Sequence, residues 1–128
     1  MNVKGLRWVG ICSSNVGASV DFYTTVLGLA VKRRGTLPAN ASDSEYVELR
    51  LLNGDCVELF DCNLPERELF AGPVIGFEVE DVAAARTEME DRGVEFLRPT
   101  AVATNCAWAY FRTPDGHVCQ LMSVRKQQ

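Results

Sequence analysis

The chain has 128 residues, 47% hydrophobic and 23% charged, with a formal net charge of −4, which suits one ordinary globular domain (1–128), argues against nucleic acid as a partner and favours a neutral or cationic small molecule. No apolar run reaches the length of a membrane span and no basic segment leads into an apolar one at the start, so neither membrane contact nor a signal peptide is expected. The five cysteines form no Cys-x-x-Cys pair, which fits reduced thiols in a cytoplasmic protein.

Residues 5–13 read as a strand, and Ser13-Ser14-Asn15 supplies capping residues for a helix that runs to Leu27. Val16, Val20, Tyr23 and Leu27 recur there at helical spacing, and Gly28 suits the position just past the end. A short strand, Leu29 to Arg34, leads into a polar loop at 35–43, a candidate mobile lid. Strands at 45–52 and 55–61 flank Asn53-Gly54, read as a two-residue hairpin turn. That turn pairs Leu52 with Asp55, sets Leu49 opposite Glu58 and Leu51 opposite Cys56. A loop at 62–71 comes next.

Then the order repeats. Strand 73–80 leads to Asp81 as a helix cap, and a helix runs from Val82 to Arg92 with Val82, Ala85 and Met89 on one face. Gly93 stops it, a short strand spans Val94–Leu97, and a loop continues to Thr104. The final hairpin turns at Thr113-Pro114-Asp115-Gly116, where Pro presets φ, Asp tolerates the next position and Gly takes φ > 0. The bulged register puts Thr113 opposite His117, Arg112 opposite Val118, Tyr110 opposite Gln120 and Trp108 opposite Met122.

Each half therefore reads strand–helix–strand–strand–strand: module one over 1–63, module two over 72–128. The fold class is α+β, two βαβββ modules in tandem whose curled mixed sheets enclose a concave pocket. Strand alternation assigns to the concave face Trp8, Gly10 and Cys12, then Val47, Leu49 and Leu51, then Cys56, Glu58 and Phe60. Val74, Gly76, Trp108, Tyr110, Arg112, Gln120 and Met122 complete it. The surface is apolar and aromatic with few polar groups, as small-molecule pockets are. Phe22, Leu27 and Phe77 are assigned to the core. Glu58 is the unusual residue: a carboxylate among apolar neighbours needs a cation such as Arg112 or Arg7, open solvent, or a role as ligand anchor or general base.

Leu6-Arg-Trp-Val-Gly-Ile11, Phe22-Tyr-Thr-Thr-Val-Leu-Gly-Leu29, Val57-Glu-Leu-Phe60, Val74-Ile-Gly-Phe77 and Phe111-Arg-Thr-Pro-Asp-Gly116 together resemble the vicinal oxygen chelate superfamily. That family holds glyoxalase I, methylmalonyl-CoA epimerase, extradiol dioxygenases and the bleomycin- and fosfomycin-resistance proteins. The resemblance implies four metal-ligand positions, and they fall on Trp8, Glu58, Val74 and Gln120. Trp8 and Val74 cannot coordinate, Gln120 is a weak neutral donor, and the only histidine, His117, sits beside a turn. A thiolate site from Cys12 and Cys56 is the remaining metal reading; otherwise no metal and no cofactor are expected.

Two functions stay open. The first is metal-independent binding of a small aromatic or cationic molecule, of the bleomycin-resistance kind. Its ligand-binding residues are Trp8, Glu58, Phe60, Val74, Trp108, Tyr110, Arg112, Gln120 and Met122. The second is a metal-independent isomerase, epimerase or lyase in which Glu58 is the general base and Tyr110 the acid. The resemblance also implies a homodimer.

Overall fold

The computed structural model describes residues 1–36, 44–61 and 67–124. The chain forms two compact units, 8–74 and 1–7 with 75–128, and each has the order strand, helix, three strands.

In the 8–74 unit the strands lie in the order β2-β3-β4-β1: β1 (Val3–Ser13, entering this unit at Trp8), β2 (Ala30–Thr36), β3 (Glu45–Arg50) and β4 (Cys56–Asp61). β1 and β4 are parallel, and the other two pairings are antiparallel. Helix α1 (Val16–Asp21) starts where Asn15 accepts a hydrogen bond from the Ala18 amide at 3.0 Å. Val16 and Val20 pack on Val47, Leu49 and Leu59, which lie on the helix-facing side of the sheet. Val47 and Leu49, expected on the concave face with Leu51, are core residues with no exposure.

Their change of side has one cause. The hairpin closes through three residues, not two: the Gly54 amide donates to the Leu51 carbonyl at 3.0 Å, the Leu51 amide donates to Asp55, and Gly54 takes φ +93°. This is a type I turn with a left-handed bulge glycine after it, and the Asn53 side chain braces it by accepting from the Asp55 amide. The register consequently moves by one residue, which sets Arg50 opposite Cys56 and Glu48, not Leu49, opposite Glu58.

The first helix also departs from the expected course. After Asp21 it widens into a π-helical turn, Phe22–Val26, where the Thr24 hydroxyl donates to the Val20 carbonyl at 2.8 Å and the Thr25 hydroxyl donates to Asp21. Hydroxyl bonds of this kind compete with the helical ladder. The extra residue in the turn shifts the phase of the residues around it, so Tyr23 stays half-buried while Phe22 and Leu27 stand half-exposed, outside the core. Residues 37–43, most of the expected lid, and 62–66 lie outside the described residues; Arg67–Phe70 form a 3-10 turn that buries Leu69 and Phe70.

In the other unit the order is β5-β8-β7-β6: β5 (Val74–Val79), β6 (Ala101–Val102), β7 (Cys106–Arg112) and β8 (Val118–Val124). Helix α2 (Val82–Asp91) is capped by Asp81, which accepts from the Ala84 amide, and it stops at Gly93 with φ +87°. Val82 and Ala85 pack on Ala109, Phe111, Cys119 and Leu121, with Phe77 and Met89 against that cluster. The final hairpin has the expected register, with the Thr113 amide donating to His117 at 2.8 Å and Gly116 at φ +88°.

The strand expected at Val94–Leu97 is a single bridge, Phe96 to Phe111; the regular strand is Ala101–Val102. Arg86 of α2 explains the irregularity, because it donates to the Arg98 carbonyl at 2.8 Å and stacks over Phe96. The four described cysteines are free thiols; Cys62 lies outside the described residues.

Gly54→Ala should lower the unfolding free energy by roughly 1–2 kcal/mol in urea titration, since nothing crowds a Cβ there and the left-handed φ alone is penalised. Burial holds the Cys119 thiol above its ordinary range, with the Ile75 backbone hydrogen bond opposing in part. The unfolded thiol therefore ionises first, and this stability contribution is lost as pH climbs past about 8.5. Cys119→Ala should flatten the fall in urea midpoint between neutral and alkaline pH.

Candidate functional site

In each unit the strands have one face under the helix and one face turned the other way, and the second face carries a buried polar row. In the 8–74 unit the row is Gly10–Glu58–Glu48: Gly10 pairs with Glu58 across the parallel β1–β4 ladder, and Glu48 pairs with Glu58 across β3–β4. Glu48 is 5% exposed and Glu58 4%. Two carboxylates directly opposite one another repel when both are charged, and burial removes the water that would screen them. The nearest described cation to Glu48 is Lys32, whose Nζ lies 4.0 Å from Oε2; that oxygen has no hydrogen-bond partner. Lys32 reaches it because β2 bulges between Val31 and Arg33.

Gly10 lets two aromatic rings close onto this row. A Cβ there would come within 3.2 Å of the Phe60 and Phe70 rings and 3.7 Å of the Val74 carbonyl oxygen. The two rings pack at 5.4 Å, so the carboxylate pair is bordered by aromatic surface. Trp8, two residues before Gly10 and on the same side of β1, is buried, as is Val74. Cys12 and Cys56 belong to this face by register, but each thiol donates to a backbone carbonyl, Asp61 and Gly54 respectively.

The same positions recur in the other unit as Gly76–Gln120–Tyr110. Glu58 and Gln120 each stand four residues after the left-handed glycine of their hairpin, and Glu48 and Tyr110 six before it. Gln120, Tyr110 and Met122 are buried, and Met122 pairs with half-buried Trp108. Arg112 keeps its expected register opposite Val118. It is exposed at the hairpin end, donates to the Gly116 carbonyl at 3.0 Å and lies 3.9 Å from Glu95. His117 is exposed beside the turn. A separate cavity of about 810 Å³ opens where α2 begins, lined by Lys4, Arg7, Glu78, Asp81, Thr104 and Cys106 among others, and none of the expected site residues line it.

The residue missed at the sequence level is Glu48. The signal existed, because the bulged register applied to the second hairpin, carried over to the first, places Glu48 beside Glu58.

The superfamily metal does not fit these residues. Trp8 and Val74 bring no donor atom, and among the described residues no group of three or more His, Cys, Asp or Glu could hold a metal ion. What the 8–74 row offers is paired carboxylate chemistry. Glu48→Gln should raise the unfolding free energy by up to ~1 kcal/mol by removing one like charge. Lys32→Met should lower that of the wild-type chain but leave that of the Glu48→Gln variant nearly unchanged, as a double-mutant cycle in urea would read.

Comparison with known proteins sets this geometry in context. No curated protein matches the chain. Among solved structures, methylmalonyl-CoA epimerase from Mycobacterium tuberculosis is similar with TM-score 0.79 at 16% identity, covering 97% of this chain and 90% of that one. A Streptomyces coelicolor methylmalonyl-CoA epimerase variant in complex with 2-nitronate-propionyl-CoA gives TM-score 0.77 at 17% identity, covering 98% and 100%. A superfamily member from Vibrio splendidus 12B01 gives 0.64 at 20%, covering 92% and 98%. These likenesses establish the fold. The sequence model of the Glyoxalase/Bleomycin resistance protein/Dioxygenase superfamily matches residues 5–121, and the chain belongs to that superfamily.

Proposed function

We propose that this chain is a metal-independent isomerase or epimerase acting on a carbon acid, with Glu58 as general base and Glu48 as its partner in proton transfer. The observation that carries the reading is the pair itself: two buried carboxylates directly opposite each other, bordered by aromatic rings. Like charges set side by side in a buried row repel when both are ionised, a common condition of groups kept for chemistry. The named relatives with this fold include epimerases, which favours proton transfer over sequestration.

In this reading the Glu58 carboxylate takes a proton from a C–H beside a carbonyl. The C–H bond breaks, an O–H bond forms on the carboxylate, and the electron pair passes to the carbonyl oxygen. Return of the same proton from Glu58 to the neighbouring carbon restores the base directly. Delivery at the other face by Glu48 in its acid form instead leaves Glu58 protonated and Glu48 ionised beside Lys32, and passage of the proton from Glu58 back to Glu48 resets the pair. Burial raises the strength of each of these interactions over its value in water.

A second reading, sequestration of an aromatic or cationic molecule, draws support from Trp8 and the packed Phe60–Phe70 rings beside the acids. One variant separates the two. Against a panel of racemic and isomerisable carbon acids monitored by proton–deuterium exchange, Glu58→Gln should cut turnover by about 10²–10⁴-fold. Exchange that is absent from the wild-type chain, together with tight binding that Glu58→Gln only weakens, would leave sequestration standing instead. Tyr110→Phe tests the acid role expected of that hydroxyl, and exchange unchanged in that variant would leave proton delivery to Glu48.

A further inference from the structure

The chain carries 13 Lys and Arg against 17 Asp and Glu, yet around the carboxylate pair the local balance runs the other way. The cause is the bulge in β2. Val31 pairs with Leu49 and Arg33 with Glu48, leaving Lys32 as the extra residue, so Lys32 and Arg33 together oppose Glu48. A regular strand would send one of them to the helix-facing side. Lys32 is committed to Glu48. Arg33 is not, and Arg50, two residues beyond Glu48 on β3, projects from the same face. Both arginines are exposed, and neither meets a carboxylate among the described residues.

Charged side chains on β2 also blunt an edge strand against pairing with another chain. That purpose is indifferent to which face the charges occupy. Arg34, on the opposite face, serves it while held by Glu45 at 3.1 Å. The gathering of Arg33 and Arg50 beside the acids calls for another account.

We propose that Arg33 and Arg50 form an oxyanion clamp at the edge of the carboxylate row, so that the substrate bears a carboxylate or phosphate group close to its acidic C–H. Diagonal cross-strand neighbours stand roughly 7–8 Å apart, a span that two long side chains close around one oxyanion. Guanidinium groups are planar forks that match such groups with paired hydrogen bonds. The clamp also solves an electrostatic problem: an anion brought beside Glu48 and Glu58 in a chain of net charge −4 is repelled unless cations stand where it settles. The identity of the reaction rests on the proton-transfer reading above; the clamp is a statement about binding and is tested as one.

Malonate and inorganic phosphate, each alone, are the probes, titrated calorimetrically into the full chain at low and moderate salt. Saturable binding is expected, weaker at higher salt, and weakened at least tenfold in the double variant Arg33→Gln/Arg50→Gln. The stronger of the two probes names the anionic group. Arg34→Gln, the opposite-face control, should bind as the wild type does. Glu58→Gln should bind the anion equally well or better while losing exchange activity. Equal affinity in the double variant and the wild type would overturn the clamp, as would preference for benzyltrimethylammonium over both anions. Anion binding that depends on both arginines, with exchange activity absent, supports the clamp while sinking the proton-transfer reading.

Discussion

Two left-handed glycines, Gly54 and Gly116, set the arrangement on which everything else rests. Each ends a type I turn and fixes the pairing of its hairpin, and pairing decides which side chains meet the helix. With the register observed, Val47, Leu49 and Leu59 lie under α1, and Ala109, Phe111, Cys119 and Leu121 lie under α2. The same register sends Glu48 and Glu58 to the far face of one sheet, and Tyr110 and Gln120 to the far face of the other. A slip of one residue in the first hairpin would put Glu48 against Val16 and Val20, an unpaired charge in a dry core. The apolar clusters are therefore more than a source of stability. They hold the acids in register, because any other pairing would break the core.

How much of this could be read in the sequence depended on the kind of signal. Element order, the Asp81 cap and the α2 face were legible from periodicity and capping residues, and the second hairpin from Pro114, which presets φ for the turn, with Gly116 free to take the left-handed position after Asp115. Asn53-Gly54 suits two turn types, and without a proline the shorter one was the simpler reading; that choice hid Glu48. Periodicity failed after Asp21 for a different reason, since the hydroxyls of Thr24 and Thr25 bond the helix's own carbonyls and shift its phase. Near residue 95 a tertiary contact, Arg86 over Phe96 and onto the Arg98 carbonyl, overrode local strand preference. Residue chemistry was legible throughout: indole and isopropyl groups cannot ligate a metal wherever the fold puts them.

Net charge and the charge at one sheet face are different quantities. The total of −4 sums side chains spread over the whole surface, and a ligand at one sheet face responds to those within about a Debye length. There the bulge in β2 adds basic groups that composition alone averages away. A single bulge can thus gather basic side chains on one face without altering the total.

The repetition of one row in two units, Gly10–Glu58–Glu48 and Gly76–Gln120–Tyr110, has a consequence for how such a protein changes over generations. A duplicated scaffold offers the same buried position twice, so one copy can hold an ionisable group while the other trades it for a neutral one of similar shape. Gln120 and Glu58 stand at matching positions and differ by a single amide for a single acid. Each row lies across its sheet from an apolar cluster within its own unit. New chemistry can then be sampled at half of the molecule at a time, by steps no larger than one side chain.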